Sequence, residues 1–310
     1  MRHLVSTKEL TKLEVASILD LAARLEKESK QGKLEKLLRD KIVACAFFEP
    51  STRTRLSFET AALRLGAKVI SIENGKISSS VVKGESIEDT AQMLSTYADL
   101  VVLRHPEGGA ARRAADISSK PVINAGDGAN EHPTQALLDL YTIKKELGRL
   151  SNLSIAYAGD LLYSRPLHSI MPLFSAEDKN IFYFISPSEL KLPADFKQEL
   201  KHRKIIFKER NNLLEILPEV DVLYVTRVQK ERFADSNDYE KVKNSFILKN
   251  EDLKNLKKEA IIMHALPRVN EIEPAIDQDS RAAYFRQPEN GLYVRMAILL
   301  HCFTDTPVPA

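Results

Sequence analysis

"KIVACAFFEPSTRTRLSFETAALRLGAKVISIE", residues 41–73, decides the fold. The run Lys41 to Phe48 is continuously apolar and of strand length, which suits a strand covered on both faces. Leu56, Phe58, Ala61, Ala62 and Leu65 then recur at helical spacing until Gly66 offers a stop, and "KVISIE" (68–73) reads as a second strand. Strand, helix, strand in that order implies a parallel pair joined by a crossover. Between the first strand and the helix stand Ser51, Thr52, Arg53, Thr54 and Arg55: three hydroxyls and two guanidinium groups in succession.

Outward from this unit the alternation continues. "LVVLR" (100–104) and "PVINA" (121–125) are further strand candidates with helical patterns between them. Upstream, Ser6 and Glu9 fit a capping box opening a helix over Leu10, Leu13, Val15, Ile18 and Leu19, with Gly32 as its stop. The helical segment "HPTQALLDLYTIKKELGRL" (132–150) leads into a second series. There "LSIAYAGD" (153–160), "NIFYFIS" (180–186), "KIIFKE" (204–209), "DVLYVTR" (221–227) and "AIIMHAL" (260–266) read as strands. The apolar helix "NGLYVRMAILLHCF" (290–303) has no obvious partner strand and could pack on either half. No fixed-period repeat and no low-complexity tract is present. The expected fold class is α/β, with two doubly wound parallel-sheet domains.

Composition agrees with that size. A chain of 310 residues exceeds one usual core, so two domains of roughly 100–200 residues are expected. Hydrophobic residues at 44% and charged residues at 28% belong to a globular protein. The net charge of +2 gives no protein-wide field for nucleic acid or anionic lipid, so any anion must be held locally. No apolar run approaches the ~18 residues that span a bilayer, and "MRHLVSTKEL" lacks a signal-peptide core. Cys45 and Cys302 are the only cysteines, too few to make a metal site alone, and Cys45 reads as a buried free thiol. A cytoplasmic, reducing location is expected, with no membrane and no nucleic-acid partner.

In open α/β sheets ligands bind beyond the carboxyl ends of the strands, where helix N-termini attract anions. The STRTR string falls at such a junction, and its hydroxyls and the planar fork of Arg53 match a phosphate. An isolated string of this kind is equally compatible with a helix cap and a solvated arginine face. Two other strand ends decide: Arg104 and His105 close one strand, and "NAGDGANEHPTQALLDL" (124–140) brings His132, Pro133, Thr134 and Gln135 after another, on the same edge of the first sheet.

"FFEPSTRTRLSFETA", "RHPEGGAA", "NAGDGANEHPTQALLDL", "GDLLYSRPLHS", "TRVQKER" and "HALPR" stand in an order and spacing that resembles the carbamoyltransferases, and within them the aspartate carbamoyltransferase family. The resemblance runs from about Lys41 to about Leu300. It implies a carbamoyl-phosphate-binding domain over 1–131, to which 290–310 returns, an aspartate-binding domain over 132–289, and an active site in the cleft between them. The implied reaction transfers the carbamoyl group of carbamoyl phosphate to L-aspartate, the committed step of de novo pyrimidine synthesis, with no cofactor and no metal. It also implies that Ser51, Thr52, Arg53 and Thr54 bind phosphate, and that Arg104 reaches phosphate and carbonyl. Thr54, Arg104 and His132 would surround the carbonyl oxygen, while Gln135 and the backbone carbonyls of Leu266 and Pro267 accept from the carbamoyl NH₂. Arg53, Thr54, Arg104 and His132 are thereby the catalytic set, stabilising developing charge without a covalent intermediate. For aspartate the implied residues are Lys83, Arg165, Arg227 and Gln229.

"SSSVVKGES" (78–86) reads by composition only as a mobile loop. The resemblance implies that Ser79 and Lys83 enter a neighbouring subunit's site, which makes a homotrimer the minimal competent unit. It further implies a bridge among Glu49, Arg165 and Arg232 that couples binding to closure. Asn270 stands where some relatives carry Asp, and Ala265 where others carry Pro; neither touches the proposed chemistry. Ornithine carbamoyltransferase shares the cradle and fold, but typically shows "HCLP" where this chain has "HALP" (264–267) and lacks the loop lysine matched by Lys83. A non-catalytic anion sensor would be expected to lose one of these contacts. Docking of regulatory chains or of another pathway enzyme stays open at this level.

Overall fold

The structure is a computed structural model that describes residues 2–73, 84–229, 233, 235–243 and 245–304. Ser79, Lys83 and Arg232, and with them most of the expected mobile loop, lie outside the described residues. The chain divides into two compact units, one of Met1–Tyr141, His168–Leu173 and Pro288–Ala310, the other of Thr142–Leu167 and Phe174–Gln287. The boundary expected after residue 131 lies ahead of this division, which instead cuts a helix at Tyr141.

In the first unit β1 (Ile42–Phe47), β2 (Lys68–Glu73), β3 (Leu100–His105) and β4 (Val122–Asp127) form a wholly parallel sheet in the order β2-β1-β3-β4. Around it run α1 (Lys12–Lys30), α2 (Thr52–Arg64), α3 (Ile87–Tyr97), α4 (Ala110–Ile117) and the start of α5 (Pro133–Leu147). β1, β3 and β4 are buried almost throughout, which is why they read as unbroken apolar runs. β2, at the sheet edge, is mostly exposed. Alanines on both surfaces, Ala44 and Ala46 on β1 against Ala91, Ala111 and Ala114 of the helices, share one core cluster and allow close layer contact.

The first helix departs from the expectation. Ser6 accepts from the Lys8 N–H but caps only the 3₁₀ turn Thr7–Glu9, because Leu10 is extended (φ −83°, ψ 128°) and stops the turn. The true capping box is Thr11 with Glu14: the Glu14 N–H donates to Thr11 Oγ1 and the Thr11 N–H to Glu14 Oε2.

The second unit holds β5 (Ser154–Gly159), β6 (Ile181–Ile185), β7 (Ile206–Arg210), β8 (Val222–Thr226) and β9 (Ile261–Met263), parallel in the order β7-β6-β5-β8-β9. The remaining described α-helices are α6 (Arg165–Ile170), α7 (Ala194–His202), α8 (Ser236–Val242) and α9 (Arg286–Phe303). From Pro288 onward α9 belongs to the first unit, which resolves where the apolar C-terminal helix packs. Aromatic packing marks the second sheet: Tyr157 stacks on Tyr224 at 5.2 Å, and both are buried.

Each unit is thus a parallel sheet flanked by helices, as the alternating pattern predicts. In each, the strand order reverses once, between β1 and β3 and between β5 and β8. Such reversal points open a crevice at the strand ends.

Candidate active site

At the reversal point of the first unit, Phe47 at the end of β1 pairs in register with Arg104 of β3. Beyond Phe47 the chain enters α2. Ser51 occupies the N-cap position (φ −160°, ψ 87°) but makes no side-chain capping hydrogen bond. The bland reading of the string, a serine that caps its own helix, is therefore wrong, and the amino-terminal N–H groups of α2 have no serine oxygen against them. Thr54 is buried, whereas Thr52 and Arg53 are exposed at the helix start. Arg55 is neutralised by Glu59 at 3.1 Å and Glu73 at 3.0 Å, so it ties α2 to β2.

Arg104 is only 7% exposed, so its charge needs local compensation. Nη1 donates to the Ala125 carbonyl at 3.2 Å and Nη2 lies 3.2 Å from Glu49 Oε2. Glu49 thereby holds the Arg104 fork. His105 beside it packs edge-on against Phe48 and accepts from the Glu107 N–H; burial first of all lowers its pKa, favouring neutral imidazole.

Buried Asp127 joins the loops after β3 and β4. Its carboxylate accepts from the Gly109 N–H (2.8 Å), the Glu131 N–H (3.1 Å) and the Asn124 and Asn130 side chains. Gly128 (φ 54°) completes the tie: its N–H donates to the His105 carbonyl, and a Cβ there would lie 2.7 Å from Gly108 N. The joined loops deliver His132, whose backbone N–H donates to Ser169 Oγ at 2.8 Å. The Thr134 hydroxyl lies 3.4 Å from His132 Nδ1. Gln135, half-buried on the first turn of α5, donates Nε2–H to Asp139 at 2.9 Å.

The second unit repeats the plan. At its reversal point Gly159 of β5 pairs with Thr226 of β8. The Thr226 hydroxyl is within 3.1 Å of both the Ala158 and Asp160 carbonyls. Asp160 is fully buried; burial raises its carboxyl pKa, opposed by the N–H groups of Tyr163, Gln229 and Leu162 and by the charge of Arg227. One carboxylate therefore gathers the loop that leads to Arg165 and the loop that carries Arg227 and Gln229. The Arg165 N–H and Gln229 Nε2 both donate to the Tyr163 carbonyl, at 2.9 and 2.8 Å. Arg165, Arg227 and Gln229 are each half-buried.

After β9 the chain turns at Leu266 (φ 54°), whose peptide bond to Pro267 is cis. Buried His264 fixes this turn: Nδ1 accepts from the Leu266 N–H at 2.8 Å, so Nε2 donates to Glu271 at 2.7 Å. Glu271 in turn accepts the Val269 and Asn270 N–H groups. Arg268 is structural, paired with Asp277 and lying over Tyr284 and Phe285.

Sequence comparison places these features. Residues 2–145 match the family "Aspartate/ornithine carbamoyltransferase, carbamoyl-P binding domain", and residues 151–302 match "Aspartate/ornithine carbamoyltransferase, Asp/Orn binding domain". The chain belongs to the aspartate/ornithine carbamoyltransferase family. Among family members, the aspartate carbamoyltransferase catalytic subunit of Methanocaldococcus jannaschii is 51% identical, covering 98% of this chain and 99% of its own length. That of Archaeoglobus fulgidus is 50% identical over 96% of this chain and 98% of its own. A crystal structure of the M. jannaschii aspartate transcarbamoylase catalytic subunit superposes with a TM-score of 0.90 at 50% identity, covering 99% of each chain. The Trypanosoma cruzi aspartate transcarbamoylase in complex with carbamoyl phosphate and aspartate gives 0.89 at 35% identity, over 96% and 95%.

Within this family chain, reading the sequence missed a set of supports: Asn124, Asp127, Asp139, Asp160 and Ser169. Asp139 had a visible signal, since it is the lone charge in the run 136–141.

Proposed function

We infer that the protein transfers the carbamoyl group of carbamoyl phosphate to the amine of L-aspartate, giving N-carbamoyl-L-aspartate and phosphate, a step of pyrimidine synthesis. The observation that carries this reading is the buried Arg104 fork, held by Glu49 and Ala125 beside an α2 start that Ser51 does not cap. Ser51, Thr52, Arg53 and Thr54 neutralise the phosphate, and Thr54, Arg104 and His132 polarise the carbonyl oxygen. Gln135 and the Leu266 and Pro267 carbonyls receive the NH₂ hydrogens. The aspartate amine attacks the carbonyl carbon, the bond to the phosphate oxygen breaks, and the departing phosphate takes the amine proton. Arg165, Arg227 and Gln229 receive the carboxylates of aspartate, with Lys83.

The name of the T. cruzi neighbour, solved with both carbamoyl phosphate and aspartate, supports this substrate pair. A homotrimer, with Ser79 and Lys83 given by a neighbouring copy, belongs to the same reading. It is favoured by Leu56, Leu63 and Ile70, exposed on the α2–β2 edge segment. A cytoplasmic site of action belongs to the same proposal; among the described residues no helix is long and apolar enough to cross a membrane.

The test is product formation from carbamoyl phosphate with L-aspartate or L-ornithine. Carbamoyl-aspartate and phosphate in equal amounts are expected; turnover with ornithine alone would overturn the assignment, and turnover with neither would favour an anion sensor.

A further inference from the structure

Gln135 can accept from a carbamoyl NH₂ only if its amide oxygen, not its nitrogen, faces the ligand, and the two ends of an amide are nearly alike in shape. The surroundings remove that ambiguity. Asp139 follows Gln135 by one helical turn, is 0% exposed, and lies 2.9 Å from Gln135 Nε2. An ionised carboxylate only accepts, so it binds the NH₂ end and turns the carbonyl end the other way.

A fully buried carboxylate stays ionised only beside a compensating charge. Arg295 of α9 lies close by: its Nη1 and the side chain of Leu138, the residue before Asp139, both border Gly291, and the charges of Arg295 and Asp139 act on each other. This guanidinium is 4% exposed, and its Nε has no hydrogen-bond partner. It lies over the Phe58 ring of α2 at 5.3 Å. Burial pushes its pKa down to about 10, with Asp139 acting against that shift, so it remains a cation at neutral pH. Gly291 makes the seat: a Cβ there would stand 2.6 Å from Arg295 Nη1 and 3.0 Å from Leu138 Cδ2. A single arginine of the C-terminal helix thus backs the cradle helix through Phe58 and the Gln135 turn through Asp139.

We propose that Asp139 and Arg295 are positioning residues that lock the amide of Gln135 with its oxygen toward the ligand, and so select an NH₂-bearing acyl phosphate over one carrying a methyl group. The inference rests on the Gln135 role in the proposed reaction. Acetyl phosphate, which replaces NH₂ by CH₃, is the probe, because it keeps the phosphate and the carbonyl and removes only the hydrogens that Gln135 would receive.

The experiment compares, on the full-length protein, the dissociation constant of carbamoyl phosphate with the inhibition constant of acetyl phosphate. In Asp139→Asn the new amide can donate as well as accept, so Gln135 is free to flip. Carbamoyl phosphate should bind about 5- to 10-fold more weakly, the worth of one hydrogen bond, while acetyl phosphate is unchanged. Arg295→Met should narrow the preference in the same direction and Arg295→Lys should restore it, and this pair carries the test if Asp139→Asn does not fold. Parallel weakening of both ligands, or an intact preference in folded Asp139→Asn and Arg295→Met, overturns the inference. Gln135→Ala separates the failures: if it too keeps the preference, the Gln135 role itself falls; if it alone loses the preference, only the Asp139 and Arg295 device falls.

Discussion

Replacing Gly159 by alanine should be the most damaging single-methyl addition in the second unit. Gly159 closes β5 with φ 119°, outside the range a side chain accepts. Its missing Cβ would stand 2.1 Å from the Thr226 carbonyl oxygen and 2.7 Å from Thr226 Oγ1. The backbone of β8 would have to retreat, because no flexible side-chain end can give way. Held strain of this kind costs about 1–3 kcal/mol, and forced overpacking about 1–3 kcal/mol more. The sum of about 2–6 kcal/mol compares with a typical total stability of about 5–15 kcal/mol. For a unit of this size each kcal/mol lowers Tm by about 2–4 °C, so a loss of at least about 4 °C is expected. Differential scanning calorimetry of Gly159→Ala against the parent reads it directly. The same displacement would carry Asp160 and the Arg227 loop with it, so half-saturation for aspartate should rise more than that for carbamoyl phosphate. A Tm within 1–2 °C of the parent, with unchanged half-saturation, would refute the claim that Gly159 is needed for the β5–β8 approach.

Arg53→Ala should reduce turnover at least ~100-fold, the usual cost of one preorganised charge-stabilising donor, whereas Arg55→Ala should mainly lower Tm; an initial-rate assay and a melt on both variants check the division of labour. Mixing inactive Lys83→Ala chains with inactive Arg53→Ala chains should restore measurable activity through hybrid sites, and none despite confirmed subunit exchange would mean that each site is built from one chain. The Arg268 hydrogen bond holds the Asp277 carboxyl below its ordinary value. Its contribution to stability is therefore complete above the unfolded-state value near 3.8 and is lost as pH falls through the lower folded-state value. Asp277→Asn should accordingly destabilise at pH 7 and narrow its gap to the parent on acidification, as urea midpoints at several pH values would show.

The inner strands were most legible because both sheets are parallel and those strands are buried, so each appears as an apolar run between polar loops, unlike the exposed edge strands β2 and β7. The strand-to-helix junction that carries Ser51, Thr52, Arg53, Thr54 and Arg55 was legible because its residues are adjacent in sequence. The supports were not. Asp127 and Asp160 each accept backbone N–H groups from their own loop and from a second one, at Gly109 and at Gln229, and a sequence shows side chains, not the donors they will meet. Arg55 and Arg53 are indistinguishable as letters, and the pairing of Arg55 with Glu59 and Glu73 emerges only in the structure. Ser6 misled for a related reason: its hydroxyl donates to Glu131, a residue 125 positions away, while a local pair at Thr11 opens the helix. In the C-terminal helix a signal existed, since Arg295 interrupts an otherwise apolar stretch.

The knot of bonds around Asp127 has a practical outcome for anyone redesigning this enzyme. Length changes between Pro106 and Gly109 would propagate to the histidine through the shared carboxylate. A library that varies one loop while freezing the other would therefore return mostly broken catalysts, and useful variants should emerge only when both segments are shuffled as a matched set.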